Sequence, residues 1–240
     1  EVENKTQKDA EVLVDYRTEK IPKVIHYCWF SGNTIPDYLK KCVESWSRVY
    51  PDYEIKRWDE SNYNVEKNSY TKQAYEARKC AFVADYARLD ILYNYGGFYM
   101  DSDVELIRHL EPLRGQMAFC GIEKWGNINT GGCCGAVKKH AMIKKMLDYR
   151  ENIKFIYDDG NFNLETNGIY ETIPFINAGL KLDGSIQRIN NMTVLPSEFF
   201  HPYDYMSGRT VVTENTFSIH HFNGGWLDEK SRYNRIMTIE

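Results

Sequence analysis

Two acidic residues, Asp101 and Asp103, are separated by one serine and follow a short apolar run that predicts a strand. Because side chains alternate along an extended segment, both carboxylates can face the same point. Carboxylate oxygens are ligands for hard divalent cations such as Mg²⁺ and Mn²⁺. A cation held there can bind a diphosphate and stabilise it as a leaving group. The pair therefore indicates a metal-dependent transfer from a nucleoside diphosphate.

Short acidic triplets are also common on solvated loops, so this triplet indicates a metal site only if the neighbouring residues support it. Asp85 and Arg88 lie one helical turn apart upstream and share a helix face. A surface ion pair is the alternative for these two residues, and such a pair contributes little to stability. Their position just before Tyr99 and Asp101 favours a role in a functional site over a surface ion pair.

Four blocks of the chain form a pattern when they are taken together. They are Ile21 to Trp29, Ala84 to Arg88, Tyr95 to Asp103, and Ile219 to Trp226. The pattern resembles the DXD sugar-transferase family, which includes fungal initiating α-1,6-mannosyltransferases and bacterial capsular-polysaccharide transferases. It is also distantly similar to the glucosyltransferase domains of large clostridial toxins. The resemblance covers most of residues 21–226 and implies a GT-A fold and retention of anomeric configuration.

The resemblance also implies roles for individual donor-site residues. Trp29 is the aromatic on which the donor base stacks, with Cys28 and Phe30 beside it, although a core tryptophan is a serious alternative. Asp85 meets the nucleoside or donor sugar, and Arg88 meets donor hydroxyls or phosphate. Tyr99 lies beside the donor.

At the metal, the resemblance implies that Asp101 contacts the cation and the ribose and that Asp103 contacts the cation directly. His221, in the late sequence His220-His221-Phe222-Asn223-Gly224, is the expected third ligand. His220 is the alternative, because adjacent strand residues face opposite ways. An imidazole ligand suits Mn²⁺ better than Mg²⁺.

Two departures from the family pattern weaken parts of this assignment. Gly225 stands where the family has a serine, before Trp226, which resembles the tryptophan that closes over the diphosphate. Thr166-Asn167-Gly168 replaces a Thr-Gly-Pro element. Asn129 is a further donor-sugar or acceptor contact.

The elements that position these residues alternate between strand and helix. Val24 to Phe30 and Tyr53 to Trp58 predict strands, with a helix after Pro36 between them, and Thr71 to Tyr95 predicts one long helix that ends at Gly96-Gly97. The alternation indicates an α/β class, and the resemblance adds a Rossmann-like mixed central sheet flanked by helices. We expect a single catalytic domain over 21–240, preceded by a charged segment at 1–20.

Composition limits the classes of partner that the chain is expected to bind. A net charge of -4 with interspersed signs gives no footprint for nucleic acid or an anionic membrane. Six cysteines without a C-x-x-C pair indicate neither a disulfide framework nor a zinc site, which favours a reducing cytosol. No apolar run is long enough to span a bilayer, so any membrane contact is expected to be peripheral, at the inner face.

The sequence therefore predicts a retaining, metal-dependent hexosyltransferase acting in surface polysaccharide or glycoconjugate synthesis. A UDP-hexose is the favoured donor, although mannosyl members of the family use guanosine, and the acceptor is a saccharide or another hydroxyl, free or lipid-linked. A haloacid-dehalogenase-type phosphatase is the rival enzyme, with Asp101 and Asp103 as nucleophile and acid and Asp158-Asp159 as its later acidic motif. A non-catalytic carbohydrate-binding module is the alternative outside enzymes.

Overall fold

The computed structural model describes residues 20–224. In order along the chain, the strands are β1 Val24–Cys28, β2 Glu54–Trp58, β3 Gly97–Tyr99, β4 Val104–Leu106, β5 Ala118–Ile122, β6 Ile128–Ala136, β7 Gln187–Ile189, β8 Met192–Leu195, β9 Tyr203–Asp204, β10 Arg209–Thr210 and β11 Ser218–His220. The helices are α1 Asp37–Val49, α2 Ser69–Glu76, α3 Cys80–Tyr95, α4 Glu111–Arg114, α5 Ala141–Arg150, α6 Asn167–Asn177 and α7 Ser197–Phe200.

The central sheet has seven strands in the order β2-β1-β3-β6-β5-β8-β7. Strand β1 is parallel to both β2 and β3, and β5 is parallel to β8. Strand β6 runs antiparallel to both β3 and β5, which makes the sheet mixed. The predicted α/β class with a mixed central sheet flanked by helices is therefore confirmed.

Two hydrophobic clusters contribute to the core. One contains Leu89 and Leu92 of α3 together with Met146 of α5, and the other contains Trp46 of α1. The indole of Trp46 also donates to the backbone oxygen of Val104 at 2.8 Å, and this bond ties α1 to β4. The core thereby fixes the strand that follows the two acidic residues.

The long helix predicted over Thr71 to Tyr95 is two helices, α2 and α3. Arg78 adopts a left-handed backbone with φ 58°, and the amide of Lys79 donates to the carbonyl of Ala74 at 2.8 Å, which is the bond that ends a helix in a Schellman motif. No glycine or proline stands at the break, so the alanine-rich pattern concealed it. The break places the first turn of α3 at the wall of the cleft described below.

The sharp entry into β3 depends on Gly97. Its φ is 100°, and a Cβ there would lie 2.8 Å from the carbonyl oxygen of Val24 on β1. Only glycine accommodates both the backbone conformation and this close approach. Helix α3 can therefore turn at once into a strand that delivers Asp101 to the sheet edge.

Within residues 20–224, no helix combines the length and apolar character that crossing a membrane requires. The predicted boundary at residue 20 stays a prediction, and residues 1–19 and 225–240 lie outside the described part.

Candidate active site

A cleft of about 1040 Å³ opens at the ends of β1 and β3. The two strands are parallel, so their carboxyl ends meet at one edge of the sheet. Six other regions complete the wall. They are the start of α1, the start of α3, the β5–β6 turn, the start of α6, the β9–β10 hairpin, and the end of β11 with the segment that follows it. The predicted residues that line the cleft are Cys28, Trp29, Phe30, Asp85, Arg88, Asp101, Asp103 and Asn129.

Asp101 is anchored through its backbone. Its amide donates to the carbonyl of Gly131 on β6 at 2.8 Å, and its own carbonyl accepts from the amide of Val104 at 3.0 Å. The second bond closes a tight turn through Ser102 and Asp103. The acidic pair therefore lies on a turn between β3 and β4, whereas the sequence analysis expected an extended segment.

Asp103 is held by a late segment of the chain. The amide of Asn223 donates to Asp103 Oδ2 at 2.8 Å, and His220 Nε2 lies 3.3 Å from Asp103 Oδ1. Burial by itself would raise the pKa of Asp103, but the charge and hydrogen bond of His220, together with the Asn223 amide, lower it to about 2. Asp103 is therefore ionised at neutral pH.

His220 occupies its position because β11 pairs antiparallel with β4, with His220 opposite Val104. Its ring stacks on Phe222 with centroids 4.1 Å apart, and its Nδ1 has no hydrogen-bond partner among the described residues. Burial lowers the pKa of His220, whereas Asp103 raises it, and the net direction is upward. An ion pair with Asp103 is thus favoured while no cation is bound.

His221 faces the other way. Its Nε2 lies 3.2 Å from Glu105 Oε2, and the side chain is exposed. The structure brings Asp101, Asp103 and His220 together, with one ligand atom from each lying within 4.8 Å of the others. It therefore supports the alternative histidine rather than the expected His221, because His220 ends β11 opposite Val104 and faces Asp103, whereas His221 follows the strand and contacts Glu105.

Arg88 links the acidic residues on α3 and after β3. Its Nη2 donates to Asp85 Oδ1 at 2.7 Å and lies 3.2 Å from Asp101 Oδ1. Burial alone would lower the pKa of Arg88, but Asp101 and Asp85 raise it above its ordinary value. For Asp85, burial outweighs the attraction of Arg88 and Arg150 and raises the pKa to about 6. The predicted one-turn spacing of this pair is thus realised as a buried ion pair.

Tyr99 does not line the cleft. It is fully buried, and its hydroxyl donates to Asp101 Oδ1 at 3.1 Å. Tyr99 therefore lies behind Asp101 and not in the expected position beside the donor. Strand β3 is buried on both faces, so its side chains have no path to solvent. Cys28 reaches the cleft wall, and burial raises the pKa of its thiol to about 12, so it is not a nucleophilic thiolate.

Asn129 shapes the strand beneath Asp101. Its Oδ1 accepts from the amides of Gly131 and Gly132 at 2.8 and 3.2 Å, and its Nδ2 donates to Glu123 Oε1 at 2.6 Å. A Cβ on Gly131 would lie 2.1 Å from Asp101 Oδ2, so only glycine leaves room for that carboxylate. The side chain of Asn129 thus supports the site as well as lining it.

The aromatic end of the cleft lies beyond β1. The indole nitrogen of Trp29 donates to the carbonyl of Asn33 at 2.8 Å, which fixes the turn after the strand. Phe30 packs against Tyr63 with ring centroids 5.7 Å apart. Trp29 is half-buried against the core and also lines the cleft. Trp29 therefore packs partly in the core, and its predicted stacking against the donor base stays a prediction.

Several cleft residues have no role predicted from the sequence. Glu123 and Asn127 come from the β5–β6 turn, whereas Tyr205 and Phe222 come from late segments. Thr166, Asn167 and Gly168, the altered family element, do line the cleft at the start of α6. Short polar and aromatic groups on turns give no periodic signal, so only the departure at Thr166 hinted at this wall. Trp226 lies outside the described residues.

Comparisons with known proteins concern part of the chain. Residues 36–120, about a third of the chain, match the family model described as a glycosyltransferase sugar-binding region containing a DXD motif. Over this segment the match confirms the predicted resemblance to DXD sugar-transferases.

Curated relatives cover only part of the chain. Inositol phosphoceramide mannosyltransferase 3 of Schizosaccharomyces pombe is 38% identical over 101 residues, which are 39% of this chain and 27% of that protein. Mannosyl phosphorylinositol ceramide synthase SUR1 of Saccharomyces cerevisiae is 31% identical, over 55% of this chain and 35% of its own length. The chain thus spans about a third of the length of these fungal relatives.

Among solved structures, PaToxG glycosyltransferase has a TM-score of 0.47 and 20% identity, with coverage of 73% of this chain and 76% of its own. The galactosyltransferase LgtC, solved with donor and acceptor sugar analogues, has a TM-score of 0.47 and 14% identity, with coverage of 90% and 93%.

Proposed function

We propose that this chain is the catalytic domain of a metal-dependent, retaining glycosyltransferase that moves a hexose from a nucleotide sugar to a hydroxyl acceptor. The observation that carries the proposal is the convergence of Asp101, Asp103 and His220 in the cleft, beside the Arg88 and Asp85 pair. A carboxylate pair with an imidazole and a neighbouring guanidinium suits a diphosphate bridged by a cation. Retention rests on the family resemblance alone.

The three residues fit a divalent cation. Their ligand atoms lie within 4.8 Å of one another. Nδ1 of His220, which has no partner among the described residues, is available for a hydrogen bond outside the metal site. Two oxygens and one nitrogen suit Mn²⁺, with Mg²⁺ as the alternative. A cation bound there supplies Lewis-acid stabilisation of the departing diphosphate.

Side chains of the cleft bind and orient the donor. Arg88 is held between two carboxylates, so its guanidinium is fixed and charged before the donor arrives. We assign it to donor phosphate or hydroxyl oxygens, and Asp85 to donor hydroxyls. Trp29 and Phe30 form the wall for the base, with Asn129 at the sugar end. No residue is assigned as a nucleophile.

Donor and acceptor classes follow from the resemblance and the relatives. A UDP-hexose remains our preferred donor. One fungal relative is named an inositol phosphoceramide mannosyltransferase and another a mannosyl phosphorylinositol ceramide synthase. These names support testing a GDP-mannose donor and a lipid-linked acceptor in parallel. A role in surface polysaccharide or glycoconjugate synthesis, at the cytoplasmic face, belongs to the same proposal.

The rival readings have less support in the structure. A phosphatase of the haloacid-dehalogenase type was expected to use Asp158 and Asp159, but neither residue lines the cleft that contains Asp101. That reading also leaves His220 and Arg88 without a role. A carbohydrate-binding module does not account for a metal triad beside a buried guanidinium.

The decisive experiment measures donor hydrolysis and nucleotide binding by the purified chain. We expect Mn²⁺-dependent release of sugar from UDP-hexoses, and calorimetry should show tighter binding of uridine diphosphate than of guanosine diphosphate in Mn²⁺. Asp103→Ala should abolish both signals, whereas Asp158→Ala should retain them. Phosphate release from a model ester without donor hydrolysis would establish the phosphatase, and binding without turnover would establish the module. Tighter binding of guanosine diphosphate would reverse the base assignment only.

A further inference from the structure

The most exposed large hydrophobic side chains of the described residues lie in three segments that contact one another. They are Met206 at 67%, Val211 at 63%, Trp125 at 56%, Leu182 at 56% and Val212 at 54% exposure. We call these five residues the apolar rim. Such exposure is unfavourable in water, and a cluster of this kind marks a surface with a partner.

The three segments of the rim are joined by direct contacts. Lys124 Nζ lies 2.6 Å from Asp204 Oδ2, which links the turn that carries Trp125 to the β9–β10 hairpin that carries Met206. A Cβ on Gly126 would lie 3.6 Å from Leu182, so the loop after α6 borders the same turn. The amide of Val211 donates to the carbonyl of Pro202 at the base of the hairpin. The rim is therefore continuous.

The rim borders the mouth of the cleft. Met206 lines the cleft itself, as do Tyr205 on the same hairpin and Glu123 and Asn127 on either side of Trp125. A partner that covers the rim would therefore lie beside the opening through which an acceptor enters.

The shape and chemistry of the rim indicate what that partner is. Trp125 and Met206 sit on two tight turns, closed by the bonds from Gly126 to Glu123 and from Gly208 to Asp204. Protruding tips of this kind offer little area to a flat protein surface, but they can each enter the headgroup region of a bilayer, where tryptophan is favoured.

The charges around the rim agree with a bilayer. Lys181 and Arg209 are exposed beside the rim, and their long side chains can extend to lipid phosphates. Asp204 is paired with Lys124, and Asp183 accepts hydrogen bonds from Ser185. We propose that the apolar rim inserts into the interfacial region of a phospholipid bilayer, so that the cleft opens at the membrane surface. This inference does not depend on the proposed transfer reaction.

The test is flotation of the full chain with vesicles of phosphatidylcholine containing a minority of phosphatidylglycerol. The rim variant is Trp125→Ser with Leu182→Ser and Val211→Ser, none of which lines the cleft. The matched control is Ile107→Ser with Tyr149→Ser, which removes exposed apolar side chains outside the rim. We expect the rim variant to bind vesicles at least about tenfold more weakly, because apolar burial sets such binding, and the control to bind as the parent does.

A second readout locates the contact. Brominated lipids should quench tryptophan fluorescence of the parent, and Trp125→Phe should remove most of that quenching. The inference is overturned if the parent does not float with vesicles, if the rim and control variants lose binding equally, or if quenching survives Trp125→Phe. It is also overturned if light scattering shows self-association that the rim variant abolishes, because the occupant is then a second copy. Donor hydrolysis in lipid-free buffer, measured in parallel, tests the proposed function separately.

Discussion

His220 Nε2 lies 3.3 Å from Asp103 Oδ1, across the pairing of β11 with β4. The contact connects the acidic turn near the middle of the chain with its late segment. We therefore expect His220→Ala to weaken Mn²⁺ binding at least about a hundredfold, as loss of a direct ligand should exceed the effect of outer-shell changes. The measurement is calorimetric titration of Mn²⁺ in the presence of nucleoside diphosphate.

His221→Ala is the matched control for this prediction, since its ring contacts Glu105 on the exposed side of the strand. We expect its Mn²⁺ affinity to stay within about threefold of the parent value. If His221→Ala loses the metal and His220→Ala keeps it, the histidine assignment must be exchanged.

The same pair makes metal affinity depend on pH. The pKa of His220 is raised by Asp103, and its ring must be neutral to bind a cation. Protons therefore compete with the metal at low pH, so Mn²⁺ affinity should rise with pH through the range in which histidines titrate and above it, because Asp103 shifts the pKa of His220 upward. The slope should be smaller in His220→Ala, and an equal slope in both proteins would contradict this prediction.

Asp103→Ala should reduce donor hydrolysis about a thousandfold or more, because it removes one of the two carboxylates at the proposed metal. The melting temperature without metal should fall moderately, because the contacts of Asp103 with His220 and with the amide of Asn223 are lost. The increase that Mn²⁺ with nucleoside diphosphate gives the parent should disappear. A variant that fails to fold would instead indicate that Asp103 serves mainly to hold the segment at Asn223.

Titration of Asp85 should determine how donor kcat/KM falls at low pH. Burial raises the pKa of its carboxyl to about 6, so the group is protonated below that pH and no longer pairs as an anion with Arg88. Donor kcat/KM should therefore fall as pH drops below about 6. The comparison is made at Mn²⁺ concentrations that saturate the site at every pH, so that protonation of His220 does not contribute. Under these conditions Asp85→Asn should be weakly active with no fall in that range, and an unchanged fall would assign the titration to another group.

Gly131→Ala should damage the site without unfolding the chain. Its Cβ would lie 2.1 Å from Asp101 Oδ2 and 2.5 Å from Arg88 Nη1, so both side chains must shift. Displacement of catalytic groups by about 1 Å can cost roughly a hundredfold in rate, and we expect a loss of that order in donor hydrolysis. Gly179→Ala is the control. Its added Cβ would have no atom within 4 Å, so the only cost is the strain of an alanine in a left-handed backbone conformation. Equal losses in both variants would point to general destabilisation.

The sequence determined the features that are local. Strand and helix periodicity placed β1, α1, β2 and the sheet entry after Gly97, and the one-turn spacing of Asp85 and Arg88 made their pairing predictable. The family resemblance added the class of enzyme and the expectation of a metal site at the acidic pair. These features depend on residues close together in the chain, so the order of residues already contains them.

Only the tertiary structure decided which histidine turns inward and where Tyr99 lies. Adjacent residues of an extended segment face opposite ways, so the sequence indicates that His220 and His221 differ. The pairing register of β11 with β4 decides that His220 reaches Asp103. Burial on both faces of β3 places Tyr99 behind Asp101. The break at Arg78 likewise follows from a backbone conformation that helix propensity does not report. Each outcome depends on contacts between segments far apart in sequence, and local patterns do not encode them.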